Sequence, residues 1–136
     1  MSDSEKWGWW TLGVVVLTIA GYGAFVAFLG HGPATSSVFA LLALTAIPAS
    51  SRRYFNGRNF DERERDIAHR ALRAGFSVFW VAFVGFDLGV YFIKGWDATL
   101  RVPVWALDET LWWAASLVLG VQALTTIVLH RGVPHD

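Results

Sequence analysis

Ala74-Gly75-Phe76-Ser77-Val78-Phe79-Trp80-Val81-Ala82-Phe83-Val84-Gly85-Phe86-Asp87-Leu88-Gly89-Val90-Tyr91-Phe92-Ile93 is apolar from end to end except for one carboxylate. A helix needs about 20 such residues to cross the hydrocarbon of a bilayer. An ionisable group at that depth costs about 2.5–3.5 kcal/mol on insertion scales, so Asp87 is expected to face protein or water. Gly85 and Gly89 bracket it and, at about 100° per residue, point away from it. They are expected to pack closely on one helix while the carboxylate faces another.

Working outward, three more uncharged runs have spanning character: Trp7–Gly30, Pro33–Ser51 and Thr110–Leu129. Hydrophobic residues make up 54% of the chain and charged ones 16%, against about a quarter charged in soluble domains. The expected fold is an all-α integral membrane protein in one domain, with four transmembrane helices in an antiparallel bundle. The spans are read as about 7–30, 33–51, 75–94 and 110–130, and residues 95–109 as an outer loop. Alternatively, Pro103 opens an extended fourth helix, with Asp108 and Glu109 at the outer headgroups. Gly30-His31-Gly32-Pro33 reads as a tight outer turn. Pro48 should kink or end the second span, whose small residues Ser37, Ala40, Ala43, Ala46 and Ala49 would admit close neighbours. There is no internal repeat.

Arginine sets the expected orientation. Arg52, Arg53, Arg58, Arg63, Arg65, Arg70 and Arg73 crowd the loop before the third span, and Lys6 and Arg131 share its side. Only Lys94 and Arg101 lie opposite. The positive-inside rule then puts the loop and both termini in the cytoplasm of a bacterial or archaeal inner membrane. Trp7, Trp9 and Trp10 would form an inner aromatic belt, and Trp96, Trp105, Trp112 and Trp113 an outer one. The N-terminus lacks the pattern of a cleaved signal, so the first span is expected to be retained.

Asn59-Phe60-Asp61-Glu62-Arg63-Glu64-Arg65-Asp66-Ile67-Ala68-His69-Arg70 opens with the form of a capping box, Asn59 with Glu62. Asp61–Arg65 and Asp66–Arg70 are acid-first i,i+4 pairs. Together with the apolar stripe Phe60, Ile67, Ala71, Ala74 and Val78 they predict an amphipathic cytoplasmic helix that leads into the third span, with room for a bend at Gly75. Its charges could bind anionic lipid headgroups, dock a partner protein, or simply be solvated. Asp66 and His69 have the spacing of a carboxylate–histidine metal pair, but no second pair accompanies them, so no metal site is read.

This charged string, with Arg52-Arg53-Tyr54-Phe55 and the Gly30-His31-Gly32-Pro33 turn, resembles a family of small bacterial inner-membrane proteins of unknown function. The likeness covers about residues 20–95. It implies a four-span membrane protein and carries over no catalytic residue.

Depth counting from the helix ends places Tyr22, Ser37 and Tyr91 near the level of Asp87, which predicts an intramembrane polar layer of these four. Asp87 could be a protonated structural group, a proton or cation carrier, or a contact to another subunit. The absence of cysteine excludes thiolate chemistry, and zero net charge gives no field for nucleic acid. No catalytic constellation or cofactor motif is present, so an enzyme is not expected. The expected role is an accessory, regulatory or assembly subunit, working with a membrane-protein partner or as a homo-oligomer. The alternative is a homo-oligomeric transporter or channel with Asp87 as coupling carboxylate.

Overall fold

A computed structural model describes residues 3–46, 62–97 and 99–132, and these are helical with short connections and no strand among them. Helix α1 (Asp3–Leu29) is followed by a short helix α2 (Pro33–Ser36), which runs directly into a 3-10 helix (Ser37–Thr45). Helix α3 (Glu62–Lys94) and helix α4 (Val104–Arg131) complete the chain. The helices α1, α3 and α4 are each long and apolar enough to cross a membrane. Pro33–Thr45 is also apolar but shorter. The expected second span is thus described only as far as Ala46. Arg52, Arg53, Arg58 and Asp61, with the Asn59 cap, lie outside the described residues.

The helix ends follow from local chemistry. Gly30 (φ 72°) closes α1 by donating its N–H to the Val26 carbonyl at 3.0 Å, a backbone conformation only glycine takes cheaply. Thr35 Oγ1 donates to the Gly30 carbonyl at 2.6 Å, which draws α2 against that end, and Pro33 supplies its first turn. Gly95 (φ 92°) ends α3 in the same way, on the Tyr91 carbonyl. Glu62 and Glu64 in the first turn of α3 and Lys94 in its last complement the helix dipole. The helix passes Gly75 without interruption. Of the two readings of residues 95–109, the helical one holds from Val104 onward, with Pro103 as the extended residue before it.

A run of nine 3-10 residues is uncommon, and its side chains show why it suits this place. Side chains at i and i+3 eclipse one another in a 3-10 helix. Ser37, Ala40 and Ala43 therefore stack into one outward stripe of small groups. Val38, Phe39 and Leu42 turn inward and form the core with Val15 and Tyr22. Val26, Leu41, Trp112, Ala115 and Leu119 pack around it. This core belongs to α1, the 3-10 helix and α4.

Helix α3 stands apart from it and meets chiefly α4. The contact is a stripe at i,i+4 spacing, Ile67, Ala71 and Gly75, all buried. A Cβ on Gly75 would meet the Val118 carbonyl oxygen at 3.1 Å, so the helices touch backbone to backbone there. Beyond Gly75 the stripe turns to Phe79 and Phe83, whose stacked rings are too large for such an approach. From Phe76 to Leu88 all but Phe79 are exposed in the chain alone, and Phe79 is only partly buried. This corrects the expectation for Gly85 and Gly89: nothing lies within 4 Å of the space a Cβ would take at either. The close-packed glycines are Gly75, Gly8 against Ile127 and Ala123, and Gly21 against Val38.

Hydroxyls on the apolar helices mostly satisfy themselves on the carbonyl one turn back, as Thr18 does on Val14, Ser116 on Trp112 and Thr126 on Gln122. Thr11 Oγ1 is the exception, fully buried with no hydrogen-bond partner. An orphaned buried hydroxyl costs about 1–3 kcal/mol, and valine has nearly the same shape. Thr11→Val should therefore raise the thermal unfolding midpoint in mild detergent; an unchanged or lower midpoint would show that the hydroxyl finds a partner in solution.

Candidate functional site

Glu109 is the one buried carboxylate among the described residues, 9% exposed in the second turn of α4. The helical reading of residues 95–109 set it beside Asp108 at the outer headgroups; its side chain points back into the protein. The Tyr22 hydroxyl donates to its Oε2 at 2.8 Å, and Ser36 Oγ donates to its Oε1 at 3.3 Å. His31 Nδ1 stands 3.8 Å from Oε1 and 3.4 Å from the Tyr22 hydroxyl. Four elements converge here: α1 brings Tyr22, the turn after it His31, α2 Ser36, and α4 Glu109.

Aromatic packing holds the cluster in shape. Tyr22 meets Phe39 at 5.1 Å between ring centroids and Trp113 edge-on at 5.2 Å. Phe39 lies parallel to Trp112 at 6.2 Å. His31 leans on Trp105 at 5.8 Å. Trp112 and Trp113, expected in an outer belt, thus lay their rings on Phe39 and Tyr22, Trp112 partly buried and Trp113 still exposed. Trp96 and Trp105 are more exposed still.

In front of Glu109 the chain forms an open cavity of about 1270 Å³. One wall is the turn and the outward stripe of the 3-10 helix, His31 through Ser37 and Ala40 to Ala43. The other is the start of α4, with Trp105, Asp108, Glu109 and Trp112. Two carboxylates against one imidazole make its outer end acidic, while its inner end is alanine and indole. Chemically, the arrangement can hold a cation against an apolar surface.

The predicted polar layer does not assemble. Tyr22 is in place, but its partner is Glu109. Ser37 is exposed and donates to the Ala34 carbonyl on its own turn. Tyr91 packs its ring on Phe92 and Trp96, next to it in sequence. Asp87 is exposed, with no hydrogen bond or ion pair among the described residues. The reason is the path of α3. It lies against α4 rather than the 3-10 helix and leaves α4 beyond Gly75, before the level of Asp87 is reached.

The opposite end of the molecule carries a second polar group. Ser4 Oγ donates to Glu64 Oε1 at 3.2 Å and lies 2.7 Å from His130 Nε2. Arg131 Nε pairs with Glu5 at 3.5 Å, and its guanidinium covers the Trp9 ring. On α3, Asp66 pairs with Arg70 at 2.8 Å and not with His69. Glu62 and Arg63 also lie in the first turn of α3, and Arg65 and Arg73 further along it.

Glu109 carries a sequence signal of its own. It stands where the last uncharged run begins, three and four residues before Trp112 and Trp113, on their helix face. Tyr22, a phenol inside an apolar helix, calls for an acceptor at its depth. No family model matches the chain, and no curated protein or solved structure is significantly similar to it.

Proposed function

We propose that the chain is a small accessory or assembly subunit of a membrane complex, held to its partner by the outer half of α3. The observation that carries this is Asp87, exposed on a helix whose surrounding residues are Phe, Val, Leu and Trp. Apolar side chains there can face lipid at no cost; a carboxylate costs about 2.5–3.5 kcal/mol. A partner helix with a hydrogen-bond donor would relieve that cost, and Gly85 and Gly89 leave open space for its backbone.

The proposal includes four crossings in antiparallel order, with both termini in the cytoplasm of a bacterial or archaeal inner membrane. In support, Ser4, Glu64 and His130 meet, which gathers the start of α1, the start of α3 and the end of α4 at one end. Tyr22, His31, Ser36 and Glu109 meet at the other. Trp10 Nε1 donates to the Leu44 carbonyl at 3.0 Å, so the short segment descends to the level of the first turns of α1. A 3-10 helix rises about 2 Å per residue, which lets few residues cover that depth. The arginines of α3 would then sit at anionic headgroups of the inner leaflet or dock the partner's cytoplasmic face. Kinship with the small four-span family belongs to the same proposal and rests on the charged string.

The test is purification of the full chain from its native membranes in mild detergent, with native mass determination. A second protein in stoichiometric amount, reduced about tenfold by Asp87→Leu, is the expected result. A homo-oligomer alone would favour the transporter reading, to be tested by cation or proton flux in liposomes with Asp87→Asn. A monomer in which Asp87→Leu changes nothing would sink both.

A further inference from the structure

We propose that the cavity between the 3-10 helix and α4 is a binding site for a cationic amphiphile, its ammonium head against Glu109 and its chain along Ser37, Ala40 and Ala43. The site is distinct from the Asp87 surface and does not depend on it.

The head end rests on charge. Glu109 is 9% exposed and receives only neutral donors, the hydroxyls of Tyr22 and Ser36. Buried charges are ordinarily paired, because leaving water is costly for a lone ion. Among the described residues no lysine or arginine is paired with Glu109 or with Asp108, which shares the cavity wall. The His31 imidazole, at 3.8 Å and largely exposed, is the one basic group at hand. A ligand cation entering from the open side would complete the pair and meet the faces of Trp105 and Trp112, which attract cations through their ring quadrupoles.

The chain end rests on shape. The 3-10 helix stacks Ser37, Ala40 and Ala43 in register, so the wall is a straight trough of groups no larger than a hydroxymethyl. An α-helix would offset each of the same three residues from the one before by about 60° and break the trough. From Ser37 to Ala43 it extends about 12 Å, the length of a chain of roughly ten methylenes. The acidic end lies beside His31 and Glu109 and the apolar end runs toward the body of α1 and α4. A head-and-tail molecule matches that polarity; a small hydrophilic cation would use half of it.

The test is quenching of tryptophan emission in the full chain, in dodecyl maltoside micelles, by dodecyltrimethylammonium brominated at the chain end. Brominated neutral and anionic dodecyl analogues serve as controls, and tetramethylammonium competition serves as the chainless probe. The cationic probe is expected to quench saturably, at about tenfold lower concentration than the neutral one, and Glu109→Gln to remove that preference. Ala40→Leu, which fills the trough and leaves the carboxylate, should weaken the chain-bearing probe but not tetramethylammonium. If Glu109→Gln fails to fold, Asp108→Asn is the substitute, with an expected loss of about threefold. Equal quenching by all three probes, full affinity in the charge variants, or an unaltered response in Ala40→Leu would each overturn the proposal.

Discussion

Tyr22→Phe should lower the stability of the folded chain by about 2 kcal/mol, although it removes a single oxygen. The hydroxyl donates to Glu109 Oε2 at 2.8 Å inside the protein, and a hydrogen bond to a charged group contributes about 1.5–3 kcal/mol. Ring packing on Phe39 and Trp113 is unchanged in the variant, so the loss reports the hydrogen bond and not a cavity. What remains is a buried carboxylate with only the 3.3 Å donor from Ser36 and the more distant imidazole. Thermal and sodium dodecyl sulfate unfolding followed by circular dichroism would measure it. Adding Glu109→Leu to Tyr22→Phe should recover part of the loss, because the stranded charge goes with its partner. A wild-type midpoint for Tyr22→Phe would mean that Glu109 does not rely on α1, and that the cluster is not what holds α1 to α4 at this end.

The outcome at Glu109 shows what could be read from the sequence and what could not. The long apolar runs identified α1, α3 and α4 because length and hydropathy depend on each helix alone. The cap at Gly30, the continuous α3 and its Asp66–Arg70 pair are equally local. The polar layer failed because it depends on which helices touch. Depth counting put Tyr22, Ser37, Asp87 and Tyr91 near one level, but depth says nothing of the angular position of α3 around α4. That position follows from Ala71 and Gly75, small enough for backbone contact, giving way to Phe79. The 3-10 helix had a visible sign too: Ser37-Val38-Phe39, Ala40-Leu41-Leu42, Ala43-Leu44-Thr45 repeats one small residue and then two others, larger, in steps of three. A period of three fits the eclipsed geometry of a 3-10 helix and not the 3.6 of an α-helix. Read only as small residues, the same positions suggested helix packing; read with their period, they describe an open trough.

The two glycine positions of α3 separate the roles of its halves. Gly75→Leu should be strongly destabilising, costing about 3 kcal/mol. Its first added carbon meets the Val118 carbonyl at 3.1 Å and the Val118 side chain at 3.3 Å, and three further carbons have nowhere to go. Neither neighbour can yield easily, since one is helix backbone. The helices must part, and Ile67 and Ala71 lose their burial with them. Gly75→Ala is milder, since the added methyl crowds the carbonyl while the gain in helix propensity, about 1 kcal/mol, offsets part of the strain. Gly89→Leu is the counterpart: it meets open space, so the isolated chain should keep its unfolding midpoint or gain slightly from helix propensity. In native membranes the same change fills the gap into which a partner helix would fit, and co-purification should fall. A Gly89→Leu chain that retains both its stability and its partner would leave α3 bare to lipid in the cell as well, and the role of Asp87 would have to be sought in water or protons reaching it from the outer side.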